Sequence, residues 1–108
     1  MRNRDNLLFV CSRNQWRSPT AEKIFRNKGY GARSAGTSPN ARKTLSHLDV
    51  RWADKIFVME NKHRSRLVSD FRRLVENKPV YVLDIPDEYK FMDKNLIEVL
   101  EQSVEPLL

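Results

Sequence analysis

The sequence holds a single cysteine, Cys11, in 108 residues. A lone thiol excludes an internal disulfide framework, a site built from several thiolates, and an electron relay between two cysteines of one chain. Glycine occurs only 3 times and proline 5 times, so neither a collagen-like repeat nor a flexible low-complexity linker is present. No apolar stretch approaches the length of a membrane span, and the opening MRNRDNLL, with Asp5 ahead of a short apolar run, does not fit a secretory leader. The expected compartment is therefore the cytoplasm, without a membrane partner. The 2 histidines, His47 and His63, are too few and too isolated for a metal centre, so surface or packing positions are expected for both, with no metal and no cofactor.

Acidic residues are also comparatively few: 14 against 20 basic ones, a formal net charge of +6. That balance suits an anionic partner, whether a phosphate, a nucleic acid or a charged surface. It equally suits a solvated basic face, since Arg64, Arg66, Arg72 and Arg73 lie in an amphipathic helical pattern. Nucleic acid is possible but not favoured, because no interleaved aromatic stacking platform stands out. At 40% apolar, residues 1–108 are expected to form one domain.

Four β-rich runs alternate with helical patterns. They cover residues 6–11 (NLLFVC), 32–36 (ARSAG), 55–60 (KIFVME) and 79–84 (PVYVLD). The first, third and fourth are apolar without alternation, as strands covered on both faces of a parallel sheet should be. Between the first two, Ser18 is placed to cap a helix with Pro19 at its first position, and Gly29 to end it. Leu67, Val68, Phe71, Leu74 and Val75 recur at helical spacing in a second segment that stops near Asn77. A third begins at Asp93 and aligns Leu96, Ile97, Leu100 and Val104. Residues 38–53 read as a turn followed by a short helix, with Trp52 as core. The pattern predicts an α/β fold: a small doubly wound domain with a four-stranded parallel sheet flanked by helices.

In open parallel sheets, ligands sit beyond the carboxyl ends of the strands. The first such loop here is CSRNQWRS. A loop that enters a helix offers successive backbone N–H groups and the positive end of the helix dipole, a site for an anion. Cys11 would stand at its floor as nucleophile, Arg17 would grip two phosphate oxygens with its planar fork, and Ser18 would donate to the sulfur. Residues 12–18, namely Ser12, Arg13, Asn14, Gln15, Trp16, Arg17 and Ser18, form the expected phosphate-binding loop. These roles describe phosphate-ester hydrolysis through a phosphocysteine. A structural role for a lone cysteine ending a buried strand is the competing reading.

With these residues in hand, the chain resembles the low-molecular-weight protein tyrosine phosphatase family. That family's Cys-x-x-Asn-x-x-Arg-Ser-Pro-x-Ala-Glu pattern is matched by Cys11, Asn14, Arg17, Ser18, Pro19, Ala21 and Glu22. The likeness continues through SAGT at 34–37, Ala41 and Arg42, ADKIFVME at 53–60 and IPDEY at 85–89. It implies a metal-independent, cysteine-based phosphatase acting on a phosphorylated protein or a small aryl phosphate. By alignment with the family's Ile-Pro-Asp-Pro-Tyr, Asp87 is the general acid, with Asp84 as the alternative, and Tyr89 lines the substrate pocket. Glu60, where the family has Asp, either bonds the phosphate loop or caps the helix starting near Asn61.

The sequence departs from the family at three places. Arg13 replaces a glycine, which leaves Asn14 as the residue suited to a left-handed backbone. Trp16 stands where many members carry a second cysteine. The stretch between SAGT and Ala41 is shorter than usual, which implies a more open pocket. Two rival functions follow. Arsenate reduction needs further cysteines that this chain lacks, and a nucleic-acid-binding or catalytically inactive phosphate-binding module on the same fold is the alternative.

Overall fold

The computed structural model describes residues 5–108; residues 1–4, the start of the MRNRDNLL stretch read above against a secretory leader, lie outside the described residues. In chain order the elements are β1 (Asn6–Cys11), α1 (Arg17–Asn27), β2 (Gly31–Gly36), α2 (His47–Trp52), β3 (Lys55–Val58), α3 (Asn61–Val75), β4 (Val80–Val82) and α4 (Lys94–Val104). The four strands form one parallel sheet in the order β2-β1-β3-β4. The chain leaves β1 toward one neighbour and later returns on its other side. The loop after β1 therefore opens into the crevice where the connections diverge, the place at which such sheets bind ligands.

The apolar runs fill two layers. Leu7, Phe9 and Cys11 face α1 and α4 and join a core with Ala21, Phe25, Leu96 and Leu100. Leu8 and Val10 face the opposite way, with Val50 of α2 and Leu67 and Val75 of α3. In-register pairing brings Phe9 beside Phe57 and Phe57 beside Tyr81. With Phe25 they make a stacked row whose centroids are 5.5, 5.2 and 5.3 Å apart. Such offset pairs add to simple burial.

Element ends depart from the sequence expectation where particular side chains intervene. β2 begins one residue earlier, at Gly31, while β3 and β4 are shorter than the runs at 55–60 and 79–84. Asp84 adopts φ 56°, which bends the chain out of the strand, although Ile85 N–H still reaches Met59 O at 2.9 Å. Ser18 does not cap α1. Trp16 is the N-cap, without a side-chain cap bond, and Ser18 and Pro19 sit within the first turn, where the serine oxygen accepts from Asn14 Nδ2 and its hydrogen is directed to the sulfur. Proline is tolerated there since first-turn N–H groups have no helical partner.

Gly29 does end α1. At φ 95° it allows Tyr30 N–H to reach Phe25 O (3.1 Å) and its own N–H to reach Arg26 O (3.0 Å). Ser46 caps α2 and Asp93 caps α4, whose carboxylate accepts from Asn95 N–H (2.8 Å) and Leu96 N–H (3.3 Å). The far end of α2 is closed by Lys78, whose ammonium donates to Val50, Arg51 and Ala53 carbonyls at 2.7, 2.8 and 2.7 Å. Trp52 packs half-buried on the second layer with the Arg33 guanidinium 4.2 Å from its ring centroid.

Candidate active site

Cys11 closes β1 and is 2% exposed. The carbonyls of the next peptide units are all claimed by the segment after β2. Thr37 N–H donates to Cys11 O (2.9 Å), Ser38 N–H to Ser12 O (2.9 Å), Arg42 N–H to Arg13 O (3.0 Å) and Arg42 Nε to Asn14 O (3.0 Å). In a planar trans peptide the following N–H points opposite its carbonyl, so the amides of Ser12, Arg13, Asn14 and Gln15 turn to the other side of the loop. Asn14 makes the bend at φ 56°, the conformation expected of it. Gly36 permits the close packing: a Cβ there would lie 2.5 Å from Ser12 O and 2.6 Å from the Ala41 Cβ.

A buried chain of polar groups sets one proton. Glu22 is an acceptor, so Ser34 Oγ must donate to it (2.6 Å), and Ser34 must then accept from Asn14 Nδ2 (2.9 Å). With its amide so oriented, Asn14 Nδ2 also donates to Ser18 Oγ (3.0 Å). Ser18 has its own hydrogen left for Cys11 Sγ, 2.9 Å away. Asn14 and Ser18 thus act from beneath the loop, while Asn14 Oδ1 is buried and, among the described residues, has no partner.

Cys11, Ser12, Arg13, Gln15, Trp16, Arg17 and Asp87 line a single cavity of about 120 Å³. Arg17 is 2% exposed and held from behind: Nη1 donates to Glu60 Oε2 (2.5 Å) and to Ile85 O (2.8 Å), while Nε faces Asp87 Oδ1 at 3.7 Å. The hydrogen bond from Arg17 holds the Glu60 carboxyl below its ordinary range, against the opposing effect of burial. Glu60 fills both roles foreseen for it, since it is also the N-cap residue of α3.

Asp84 lines a different depression, with Glu60, Asn61, Lys62 and Pro86, which leaves Asp87 as the carboxylate at the cavity. Tyr89, expected to line the pocket, is half-buried against the α1/α4 core instead and is not among the cavity residues. The turn that follows it is fastened to α1 through Met92 N–H and Thr20, which carries Tyr89 inward. The aromatic wall is Trp16, 38% exposed. Arg13 is exposed at the cavity lip.

His47 is exposed as expected. His63 is buried, at 1% exposure, but it is also part of the site. Its Nδ1 accepts Glu60 N–H (3.0 Å), so the proton of the neutral ring is on Nε2, which donates to Ser12 Oγ (2.8 Å). Burial, and then the Arg17 charge, pushes its pKa down to about 4. The sequence signal available was Glu60-x-x-His63 at a helix start, the spacing of a capping box.

Solved structures superpose on nearly the whole chain. The tyrosine phosphatase Wzb from Escherichia coli K30, in complex with phosphate, gives a TM-score of 0.77 at 20% identity, covering 97% of this chain and 96% of that one. The YwlE arginine phosphatase from Geobacillus stearothermophilus gives 0.74 at 22% identity, covering 95% and 92%. A low molecular weight protein tyrosine phosphatase from Streptococcus pyogenes, SP-PTP, gives 0.74 at 16% identity, covering 96% and 93%.

The chain has the low-molecular-weight phosphatase fold. No protein-family model and no curated protein matches the sequence. Another YwlE structure, with a TM-score of 0.70 at 22% identity and covering 94% and 95%, is a cysteine-to-serine variant with a phosphorylated active-site serine. In the phosphatase fold as this chain builds it, the loop after β1 is braced by Glu60, His63 and the segment after β2.

Proposed function

We propose that the chain is a phosphomonoester hydrolase, protein-tyrosine-phosphatase-like, that works through a phosphocysteine on Cys11. The observation that carries this reading is that Cys11, Arg17 and Asp87, of which the first and last are 76 positions apart in the sequence, line one small cavity. The fold it shares with tyrosine and arginine phosphatases supports it.

The Cys11 sulfur attacks phosphorus in line, and the bond from phosphorus to the leaving oxygen breaks as Asp87 passes its proton to that oxygen. Loop amides and Arg17 hold the three phosphoryl oxygens. Water then attacks the phosphocysteine and gives its proton to the Asp87 carboxylate. Phosphate departs and the sulfur regains the Ser18 hydrogen bond, which stabilises it as a leaving group. Positive charge comes from Arg17, so no step requires a metal. The substrate is a phosphorylated protein or a small aryl phosphate.

The test is hydrolysis of phenyl phosphate and of a phosphotyrosine peptide without added metal. Cys11→Ser should abolish turnover, Arg17→Ala should lower it by about 10³-fold, and Asp87→Asn should cut it by about 10²-fold or more while Asp84→Asn changes it little. Equal rates in wild type and Cys11→Ser would end the reading. A phosphoarginine peptide assayed in parallel separates the two activities named among the structural neighbours.

A further inference from the structure

The loop carrying Asp87 is irregular, and its backbone hydrogen bonds to the rest of the fold lie at its two ends, while between them Asp87 Oδ1 faces Arg17 Nε at 3.7 Å and Tyr89 packs on the α1/α4 core. At the near end, Ile85 N–H donates to Met59 O (2.9 Å) and Ile85 O accepts from Arg17 Nη1 (2.8 Å). At the far end, Met92 N–H donates to Thr20 Oγ1 (2.9 Å). Among the described residues, the backbone between them is bonded only locally, by Glu88 N–H to Pro86 O (2.9 Å) and, across the closing turn, Asp93 N–H to Lys90 O (3.1 Å).

Thr20 is fully buried. Because it accepts from Met92, its own hydrogen goes to Trp16 O, four residues back along α1, at 2.7 Å. Trp16 is the N-cap of α1 and a wall of the cavity. One hydroxyl therefore joins Trp16 of the phosphate loop to the far end of the acid loop. Met92 sits at φ 61°, a conformation that an unbranched L-residue adopts only when its surroundings hold it there.

We propose that Thr20 is a positioning residue for general-acid catalysis, fixing Asp87 over the leaving oxygen through Met92 while registering the acid loop to the phosphate loop through Trp16. The proposal rests on the phosphatase reading above. It assigns Thr20 no contact with substrate.

The test compares kcat/KM, which reports the leaving-group step, for phenyl phosphate, whose oxygen needs a proton, and 2,4-dinitrophenyl phosphate, whose oxygen does not. In Thr20→Val the ratio of the two values, poor over good leaving group, should fall about tenfold, part of the general-acid contribution. In Thr20→Ser, which keeps the hydroxyl, it should fall less than about threefold. An unchanged ratio in Thr20→Val, including equal loss on both esters, would overturn the proposal, as would an equal fall in Thr20→Ser. Wild type inactive on both esters would instead refute the phosphatase reading. Amide exchange of wild-type Met92 needs no variant: protection is expected, and exchange at the rate of a free peptide would overturn the proposal.

Discussion

His63 shows how one side chain ties the site to stability. Its pKa is about 4 in the folded chain against 6.5 in the unfolded one, so the unfolded chain takes up the proton first as pH falls. The stabilisation from keeping the ring neutral is complete above pH 6.5 and is lost as pH drops toward 4, in total on the order of 3 kcal/mol. The melting temperature should therefore fall through this window, and His63→Gln should flatten the fall; parallel curves for the two proteins would contradict the assignment. Glu60, held low by Arg17, acts in the same direction below its ordinary value of 4.5. Residues near Cys11 in the chain are legible as a loop from the sequence alone. The bond from His63 to Ser12 crosses 51 positions, and local spacing carries no mark of such a contact. The same holds for Thr20 and Met92, 72 positions apart.

At the level of elements, strands and helices were legible because the driving pattern is local: unbroken apolar runs for strands covered on both faces, and a repeat of three and four for helices. The ends were less legible, as the Ser18 hydroxyl illustrates. A serine before Pro19 has the local signature of a cap, but its oxygen accepts from Asn14 Nδ2 while its hydrogen goes to the Cys11 sulfur. The end of β2 gives a prediction of this kind. Gly36→Ala would press a methyl group against Ser12 O, a backbone atom at 2.5 Å, and push the phosphate loop outward. It should cost about 1–3 kcal/mol and lower kcat/KM by at least about tenfold. Gly31→Ala is the control, since its nearest obstacle is the Asn6 side chain, which can move. Thermal melts and kinetics on both variants check the contrast, and comparable losses would show that the Gly36 contact has no special bearing on the loop.

For the whole molecule, the excess of basic over acidic residues acquires meaning beside the site. Arg13 stands exposed at the lip and Arg42 is latched to the loop, while Glu60 is already engaged by Arg17. If the proposed hydrolysis holds, a net charge of +6 draws a dianionic ester toward that opening over distances that salt can shorten. Raising ionic strength from about 0.01 M to about 1 M shrinks the screening length from about 30 Å to about 3 Å. The proposed hydrolysis should then show a KM that climbs several-fold while kcat stays nearly level. A salt-independent KM would mean that the surplus charge faces elsewhere.

The solitary sulfur has one more implication. Thiol-selective alkylating reagents can mark this polypeptide at one cysteine only, and that cysteine lines the cavity. Uptake of iodoacetate that inorganic phosphate slows would count correctly assembled molecules one by one, giving any preparation an internal measure of its intact fraction.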